Sequence, residues 1–185
     1  AGVSPRSSGE LEILGGDPDR DGARIRAEIG VVHQQETLDQ ELTVRENLLV
    51  FGRFFGMDRT SISARADELL ELFQLTDRAK DQVEPLSGGM KRRLNFGCGI
   101  VHQPKVLLLD EPTAGVDPQS RVHLLDLVRQ QVAAGTCVLY TTHYMEEAEE
   151  LSDRVGIIDH GELIALGTQK ELTQQVGETE TLVLH

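Results

Sequence analysis

The sequence has few cysteines and no long apolar segment. Two of its 185 residues are cysteine. Cys98 and Cys137 lie far apart and lack a C-x-x-C spacing, so we expect two buried thiols in a reducing compartment. No apolar run approaches the about 20 residues that a transmembrane helix needs, and the N-terminus shows no signal-peptide pattern. These absences predict a soluble, cytosolic globular domain.

Positive charge is also scarce. The chain has 18 lysine and arginine residues against 31 aspartate and glutamate residues, which gives a formal net charge of −13. An acidic surface of this size repels phosphate backbones and anionic lipids. The composition therefore predicts that nucleic acid is not a partner.

A third absence concerns phosphate binding. The sequence contains no G-x-x-x-x-G-K-[ST] motif, its first lysine is Lys80, and no aromatic residue precedes Phe51. Phosphoryl transfer depends on positioning and charge neutralisation by such a loop and its lysine. Little of that machinery is present in these 185 residues.

Apolar runs alternate with amphipathic segments, which is typical of an α/β domain with a mostly parallel sheet. We predict strands at Glu10–Leu14, Glu28–His33, Val106–Leu109, Thr136–Tyr140, Arg154–Ile158 and Glu162–Leu166. We predict helices at Val44–Phe55, Ile62–Phe73, Met90–His102, Pro118–Ala134, Tyr144–Leu151 and Gln169–Val176. A further strand is predicted to begin at Thr181–Leu184. Residues 39–85 have no predicted strand, so they form a helical insertion between sheet-core residues 1–38 and 86–185, with the helix over residues 87–102 beside it.

Residues 86–93 (LSGGMKRR) place a serine and two glycines immediately before a predicted helix. Such glycines leave backbone N–H groups open, so a phosphate can approach closely. Lys91, Arg92 and Arg93 fall in the first turns, where the helix dipole disfavours cations unless an anion docks nearby. An ordinary serine–glycine helix cap explains the segment about equally well.

Polar side chains follow several predicted strands. Asp110 and Glu111 end the strand at Val106–Leu109, and Gln34 and His143 follow two others. Ligands of open α/β sheets bind beyond the carboxyl ends of the strands. Of two adjacent acids, one can hold Mg²⁺ while the other orients a water molecule. Singly each residue is more often a surface group, but four of them at one sheet edge predict a site.

These segments occur in the order found in ATP-binding-cassette (ABC) ATPases, and the chain resembles that family over roughly residues 9–172. Leu86–Met90 is similar to the signature motif, and Val106–Glu111 is similar to the Walker B strand. The other matches are Gln34 for the Q-loop glutamine, Ala114–Asp117 for the D-loop and His143 for the switch histidine. The resemblance implies a RecA-like, P-loop NTPase fold, and we expect its N-terminal strands and phosphate-binding loop to be missing because the chain is truncated before Ala1.

In that family two domains pair head to tail and hold ATP between them. The resemblance implies that Asp110 and Gln34 bind Mg²⁺, that Glu111 polarises the attacking water, and that His143 contacts the γ-phosphate. Glu111 and His143 are thus the candidate catalytic residues. The candidates for nucleotide contact are Gln34, Ser87, Gly88, Gly89 and Asp117, of which the signature residues would grip the partner's ATP.

Met90 stands where the family more often has glutamine, and this change resembles the exporter branch for drugs, antibiotics or surface polysaccharides. Residues 142–148 (THYMEEA) resemble the same branch. We interpret the acids that follow, Glu146, Glu147, Glu149 and Glu150, as the solvated face of a helix. The resemblance implies the ATP-hydrolysing subunit of an ABC-type exporter, peripheral at the inner face of the membrane, although the chain as given is expected to be inactive.

The resemblance also implies a second partner, a transmembrane permease that contacts the helical insertion. Phe51, Phe54 and Phe55 lie in this insertion. Phe51 and Phe55 form a core-facing stripe with Val44 and Leu48, or some of the three phenylalanines line the groove that receives a permease helix. Two other functions remain open. One is a non-transport ABC ATPase, which the absence of heptads and of a basic block disfavours. The other is a non-catalytic interaction module.

Overall fold

The computed structural model describes residues 6–177 of the chain. These residues divide between Thr141 and Thr142 into two compact units. The strand predicted at Thr181–Leu184 lies outside the described residues.

The first unit contains a parallel sheet of three strands in the order β1-β2-β3. These strands are β1 (Ile29–Val32), β2 (Val106–Asp110) and β3 (Cys137–Thr141). Val32 pairs with Leu109, and Asp110 pairs with Thr141, so the carboxyl ends of all three strands lie at one edge. The predicted α/β fold with parallel strands is confirmed here.

Five α-helices and one short 3-10 helix at Thr76–Arg78 complete the described part of this unit. They are α1 (Pro18–Ala27), α2 (Val44–Phe54), α3 (Arg59–Leu72), α4 (Gly88–Ile100) and α5 (Pro118–Ala133). The first turn of α2 has the predicted capping box, in which Thr43 and Glu46 bond each other's backbone N–H groups. No helix within residues 6–177 is long and apolar enough to cross a membrane.

Helix α4 packs closely against β1 through glycine. A Cβ atom at Gly30 would lie 2.3 Å from the Gly99 carbonyl oxygen, and one at Gly99 would lie 2.6 Å from a Val32 methyl group. Side chains at either position would therefore separate the helix from the strand. This contact holds the last turn of α4 against β1.

Near the N-terminus one predicted strand is absent and one helix was not predicted. Glu10–Leu14 is not a strand, because Leu14 and Gly15 have positive φ and the chain reverses, leaving only one isolated bridge between Ile13 and Gly16. Helix α1 was not predicted, although Asp17 caps it and Pro18 occupies its first turn. Its only buried residue is Ile25, so its apolar periodicity is weak.

The second unit contains the two strands predicted there, and they form an antiparallel pair. Strands β4 (Val155–Asp159) and β5 (Glu162–Gly167) are joined by His160 and Gly161, which both have positive φ. That conformation turns the chain back on itself in two residues, which excludes a parallel crossover. Helices α6 (Met145–Leu151) and α7 (Gln169–Gly177) flank the pair in sequence.

The two cysteines differ in exposure, contrary to the prediction that both are buried. Cys98 is buried in α4, and burial raises the pKa of its thiol. Cys137 is exposed because it begins β3, which is an edge strand of the described sheet. Only Cys98 therefore belongs to the core.

His102 stands just beyond α4 and joins two parts of the first unit. Its ring stacks on Phe55 with centroids 3.5 Å apart, and its Nε2 lies 3.1 Å from the Ile29 carbonyl oxygen. Its Nδ1 is buried without a hydrogen-bond partner among the described residues. Burial lowers the pKa of His102 below its ordinary value of 6.5, because a protonated Nδ1 would lack an acceptor.

This lowered pKa predicts a pH-dependent stability. Between the folded-state pKa and about pH 6.5 the unfolded chain binds more protons than the folded chain. The free energy of unfolding is therefore expected to be highest above about pH 6.5 and to fall as the pH drops towards the folded-state pKa. Urea titrations between pH 5 and pH 8 measure the slope.

The matched variant is His102→Gln, which keeps an N–H donor but does not titrate, so its slope is expected to be smaller. His160→Asn is the control for the loss of a surface histidine, since the His160 side chain is 95% exposed. Equal slopes in His102→Gln and the unsubstituted chain would contradict the assignment.

Candidate functional site

Gln34 and Glu111 meet at the carboxyl edge of the sheet, 77 residues apart in sequence. The Gln34 Nε2 donates a hydrogen bond of 3.1 Å to the Glu111 Oε2. Gln34 follows β1 and Glu111 follows β2, and these strands pair in parallel. The parallel register is thus what brings the two predicted residues together.

Asp110 lies beside them as the last residue of β2. Its Oδ1 accepts a hydrogen bond of 2.8 Å from the Thr141 hydroxyl. The Glu111 N–H donates to the Thr141 carbonyl at 3.2 Å. Thr141 therefore orients Asp110 through its side chain and Glu111 through its backbone.

The backbone of Glu111 adopts an uncommon conformation. Its φ is +42°, in the left-handed region that side chains other than those of glycine, asparagine and aspartate rarely occupy. Such a conformation persists only where the surroundings hold it, and it is common at functional sites. The side chain that this backbone carries accepts the hydrogen bond from Gln34.

The surroundings that hold this turn include Arg92, which is only 4% exposed. Its guanidinium makes five hydrogen bonds, of 2.5 to 3.4 Å, and all of them are donated to main-chain carbonyls. These carbonyls belong to His33, Gln34, Asp110, Glu111 and Pro112. Burial lowers the pKa of Arg92 from its ordinary value, although an arginine remains charged at neutral pH.

This role of Arg92 was not predicted, because the positive charge at the start of α4 was attributed to an anion docking nearby. Arg92 instead binds carbonyls of its own chain, and Arg93 donates to the Phe73 carbonyl at 2.8 Å. A signal was present in the sequence. Arg92 lies three residues after Gly89 and four before Phe96, on the buried face of α4.

Helix α4 begins at Gly88, which lies between the two predicted starts, residue 87 and Met90. Ser87 is its N-cap, and the Ser87 hydroxyl accepts a hydrogen bond of 3.3 Å from the Met90 N–H. Gly88 and Gly89 are consequently the first two helical residues and do not form a separate turn. No described atom lies within 4 Å of a Cβ built at Gly88, so its backbone borders open space.

Gly89 faces the start of α5. A Cβ there would lie 2.3 Å from the Ser120 hydroxyl oxygen and 3.3 Å from an Asp117 carboxyl oxygen. Asp117 caps α5, accepting from the Ser120 N–H at 2.9 Å and from its hydroxyl at 2.6 Å. These hydrogen bonds lower the pKa of Asp117. The residues that resemble the signature and the D-loop are thus adjacent.

His143 belongs to the second unit, and its place in the site remains a prediction. Its ring lies 4.1 Å from that of Tyr144. The turn that carries it is held by Thr142, whose hydroxyl donates to Glu147 at 2.8 Å and accepts from the Tyr144 N–H at 3.0 Å. Glu147 is fully buried, so the interpretation of all four acids as a solvated face was wrong for this residue.

The apolar side chains of α2 differ in their exposure to solvent. Val44 and Leu48 are buried as the core stripe predicts, whereas Phe54 is 78% exposed. Phe51 contacts Phe54 edge to face, with centroids 6.2 Å apart. A large exposed aromatic side chain at the end of a helix is a candidate contact for a partner.

Comparison with known proteins matches residues 1–114 to the family described as ABC transporter. The linearmycin resistance ATP-binding protein of Bacillus subtilis is 46% identical over 177 residues, which are 96% of this chain and 57% of that protein. The Nod factor export ATP-binding protein I of Sinorhizobium fredii is 43% identical over 95% of this chain and 52% of its own length.

A solved structure described as the ATP-binding subunit of an ABC transporter has a similar fold. Its TM-score is 0.82 at 27% sequence identity, and the match covers 95% of this chain and 73% of that one. This chain therefore spans nearly three quarters of the solved subunit but only about half the length of the curated relatives that it matches.

Proposed function

This chain belongs to the ATP-binding domains of the ABC transporter family, and from that premise we propose that it carries part of the ATP-hydrolysing site of an ABC-type exporter. The observation that carries the proposal is the contact between Gln34 and Glu111 beside Asp110. These side chains stand at the sheet edge where α/β proteins bind ligands. Drug-resistance and Nod factor export relatives support export as the direction of transport.

In the proposed reaction Glu111 accepts a hydrogen bond from the attacking water and orients it towards the γ-phosphate. Gln34 holds the Glu111 carboxylate through its amide N–H. Glu111 has a φ of +42° directly after β2, and we propose that this turn presents the carboxylate at the strand end. His143 is proposed to contact the γ-phosphate from the turn that Thr142 and Glu147 hold.

The residues present could supply some, but not all, of the ligands of a Mg²⁺ ion. Asp110 offers a carboxylate and Gln34 an amide oxygen, which are hard ligands of the kind that Mg²⁺ prefers. Within residues 6–177 no group of three or more histidine, cysteine, aspartate and glutamate side chains is arranged for a metal. Asp110 and Gln34 would therefore hold the ion together with phosphate oxygens. When bound, Mg²⁺ would neutralise negative charge on the phosphates of ATP during transfer of the γ-phosphoryl group.

We also propose that the start of α4 serves the nucleotide of a partner. The open backbone at Gly88 and the N-terminus of a helix of 13 residues together favour a phosphate. Gly89 packs against Asp117 and Ser120, which supports Asp117 as a link between the two sites of a head-to-tail dimer. Ser87, Gly88 and Gly89 would thus complete an ATP site whose phosphate-binding loop belongs to the second domain.

The permease is the second proposed partner, and residues 39–85 are the proposed helical insertion that contacts it. The exposed side chain of Phe54 supports this surface. Residues 1–38 and 86–185 would then form the sheet core, and the protein would lie peripherally at the inner face of the membrane.

The 185-residue chain alone is predicted neither to hydrolyse ATP nor to bind it tightly. Its sequence has no G-x-x-x-x-G-K-[ST] loop, and Asp110 and Gln34 hold Mg²⁺ weakly without phosphate oxygens. We expect a Kd for Mg-ATP of about 1 mM or weaker. Calorimetric titration and a phosphate-release assay measure the two properties.

The positive control is a chain in which a segment carrying a G-x-x-x-x-G-K-[ST] loop precedes Ala1, for which micromolar binding is expected. Micromolar affinity or steady turnover by the 185-residue chain itself would overturn the prediction. Failure of the loop-bearing chain to bind would instead favour a non-catalytic interaction module.

A further inference from the structure

The five hydrogen bonds of Arg92 connect three segments that are distant in sequence. The guanidinium projects from α4, and its acceptors lie just after β1 and at the end of β2. Two of the bonds, to the carbonyls of Gln34 and Glu111, measure 2.7 Å each. The same two residues meet through their side chains. One buried side chain thus holds the backbones of both members of the contact.

Only arginine can make this set of bonds. Its guanidinium has five N–H donors in one plane, and all five are used here. Lysine has three donors on a single atom, so it can replace at most three of the five bonds. A buried cation also needs all its donors satisfied, because an unpaired buried charge is strongly destabilising. The geometry is therefore specific to this side chain rather than to positive charge.

The position of Arg92 on α4 gives it a second connection. It lies five residues after Ser87, so it is joined to the helix start by little more than one rigid turn. A shift of the helix start moves the guanidinium with it. Because interiors are close-packed, such a shift alters the carbonyl positions rather than being absorbed. The left-handed Glu111 backbone is the most sensitive of the acceptors, since it is held against its own preference.

We propose that Arg92 is a positioning residue that couples the start of α4 to Gln34 and Glu111 of the same chain. Contact of a partner's nucleotide with Ser87–Gly89 would then change the geometry around Glu111. That consequence rests on the proposed function, whereas the coupling itself is expected to be present in the chain without nucleotide. Each domain of a dimer would in this way report the occupancy of one site to the other.

The test uses NMR on the 185-residue chain without nucleotide and follows the Gln34 side-chain amide and the Glu111 backbone N–H. In Arg92→Lys, the Gln34 amide signals are expected to move to the values of a solvated glutamine. The Glu111 N–H is expected to exchange with solvent about tenfold faster or more, whereas the centre of β2 keeps its protection. The matched control is Arg93→Lys, because Arg93 is also on α4 but donates to Phe73. Unchanged signals in Arg92→Lys would overturn the proposal.

A double-substitution experiment distinguishes two roles of Arg92: transmitting a change at the start of α4 to Gln34, and only holding the Gln34 and Glu111 backbones in place. Ser87→Ala removes the N-cap of α4 and is expected to shift the Gln34 amide signals when Arg92 is present. The same substitution is expected to shift them little in an Arg92→Lys background. Equal shifts in both backgrounds would overturn the coupling. If Arg92→Lys fails to fold, Arg92→Gln takes its place. The single variant Ser87→Ala is also a test by itself: if it does not shift the Gln34 amide signals while Arg92 is present, the proposal is wrong.

These outcomes do not depend on ATP. The proposed function fails if a loop-bearing chain does not bind Mg-ATP, and the positioning role fails if the nucleotide-free signals are unmoved. The two failures are therefore observed separately.

Discussion

Glu111→Gln is expected to leave Mg-ATP binding nearly unchanged and to lower hydrolysis by about 100-fold or more. The protein for this measurement carries a G-x-x-x-x-G-K-[ST] segment before Ala1. Glutamine keeps the shape of the side chain, and its amide can still hydrogen bond with Gln34. It loses the carboxylate that accepts a hydrogen bond from water, so the water is no longer oriented.

Phosphate release under saturating Mg-ATP measures the loss, and calorimetry measures binding. Glu71→Gln removes a carboxylate from the exposed side of α3 and is the matched control. Its turnover is expected to equal that of the unsubstituted protein. Unchanged turnover in Glu111→Gln would mean that another residue orients the water.

Gly30→Ala is expected to destabilise the fold by about 3 kcal/mol or more, or to prevent folding. The new methyl group would lie 2.3 Å from the Gly99 carbonyl oxygen and 2.9 Å from Pro104. Neither neighbour is the end of a flexible side chain, so β1 and α4 would have to separate. Urea unfolding followed by circular dichroism measures the change in the free energy of unfolding.

Gly88→Ala is the control for this substitution, since a Cβ there meets no described atom within 4 Å. Alanine is also the better helix former, so its stability is expected to be equal or slightly higher. A loss in Gly30→Ala no larger than about 0.5 kcal/mol would show that β1 and α4 can move apart easily.

The strand ends were the part of the site that sequence reasoning predicted well. Val106–Asp110 is an apolar run that ends in acids, and Gln34 follows a similar run. Because parallel strands align their carboxyl ends, the pattern alone implied that Gln34 and Glu111 would be close. The distance of 3.1 Å between them agrees with that expectation.

The role of Arg92 was not predictable in the same way. Positive charge at the start of a helix suggests that an external anion binds there. The groups that accept hydrogen bonds from Arg92 are instead main-chain carbonyls from distant segments of the same chain. Only the tertiary fold shows that those carbonyls converge. Glu147 illustrates the same difficulty, since its acceptor role towards Thr142 depends on a local turn and not on the acidic composition of α6.

Errors in the fold had local causes. Strand patterns in residues 10–14 were overridden by the positive φ of Leu14 and Gly15. The strands β4 and β5 were predicted, but their pairing as a hairpin was not, and it follows from the tight turn at His160 and Gly161. Composition and periodicity do not report such backbone conformations.

The unequal exposure of the two cysteines gives the chain an internal reporter of its own opening. A thiol reagent is expected to modify Cys137 at once, because it is exposed. Cys98 is buried in α4 with a raised pKa, so it reacts only when the helix leaves the sheet. Its labelling rate relative to that of Cys137 therefore measures the free energy of local opening at the helix that carries Arg92.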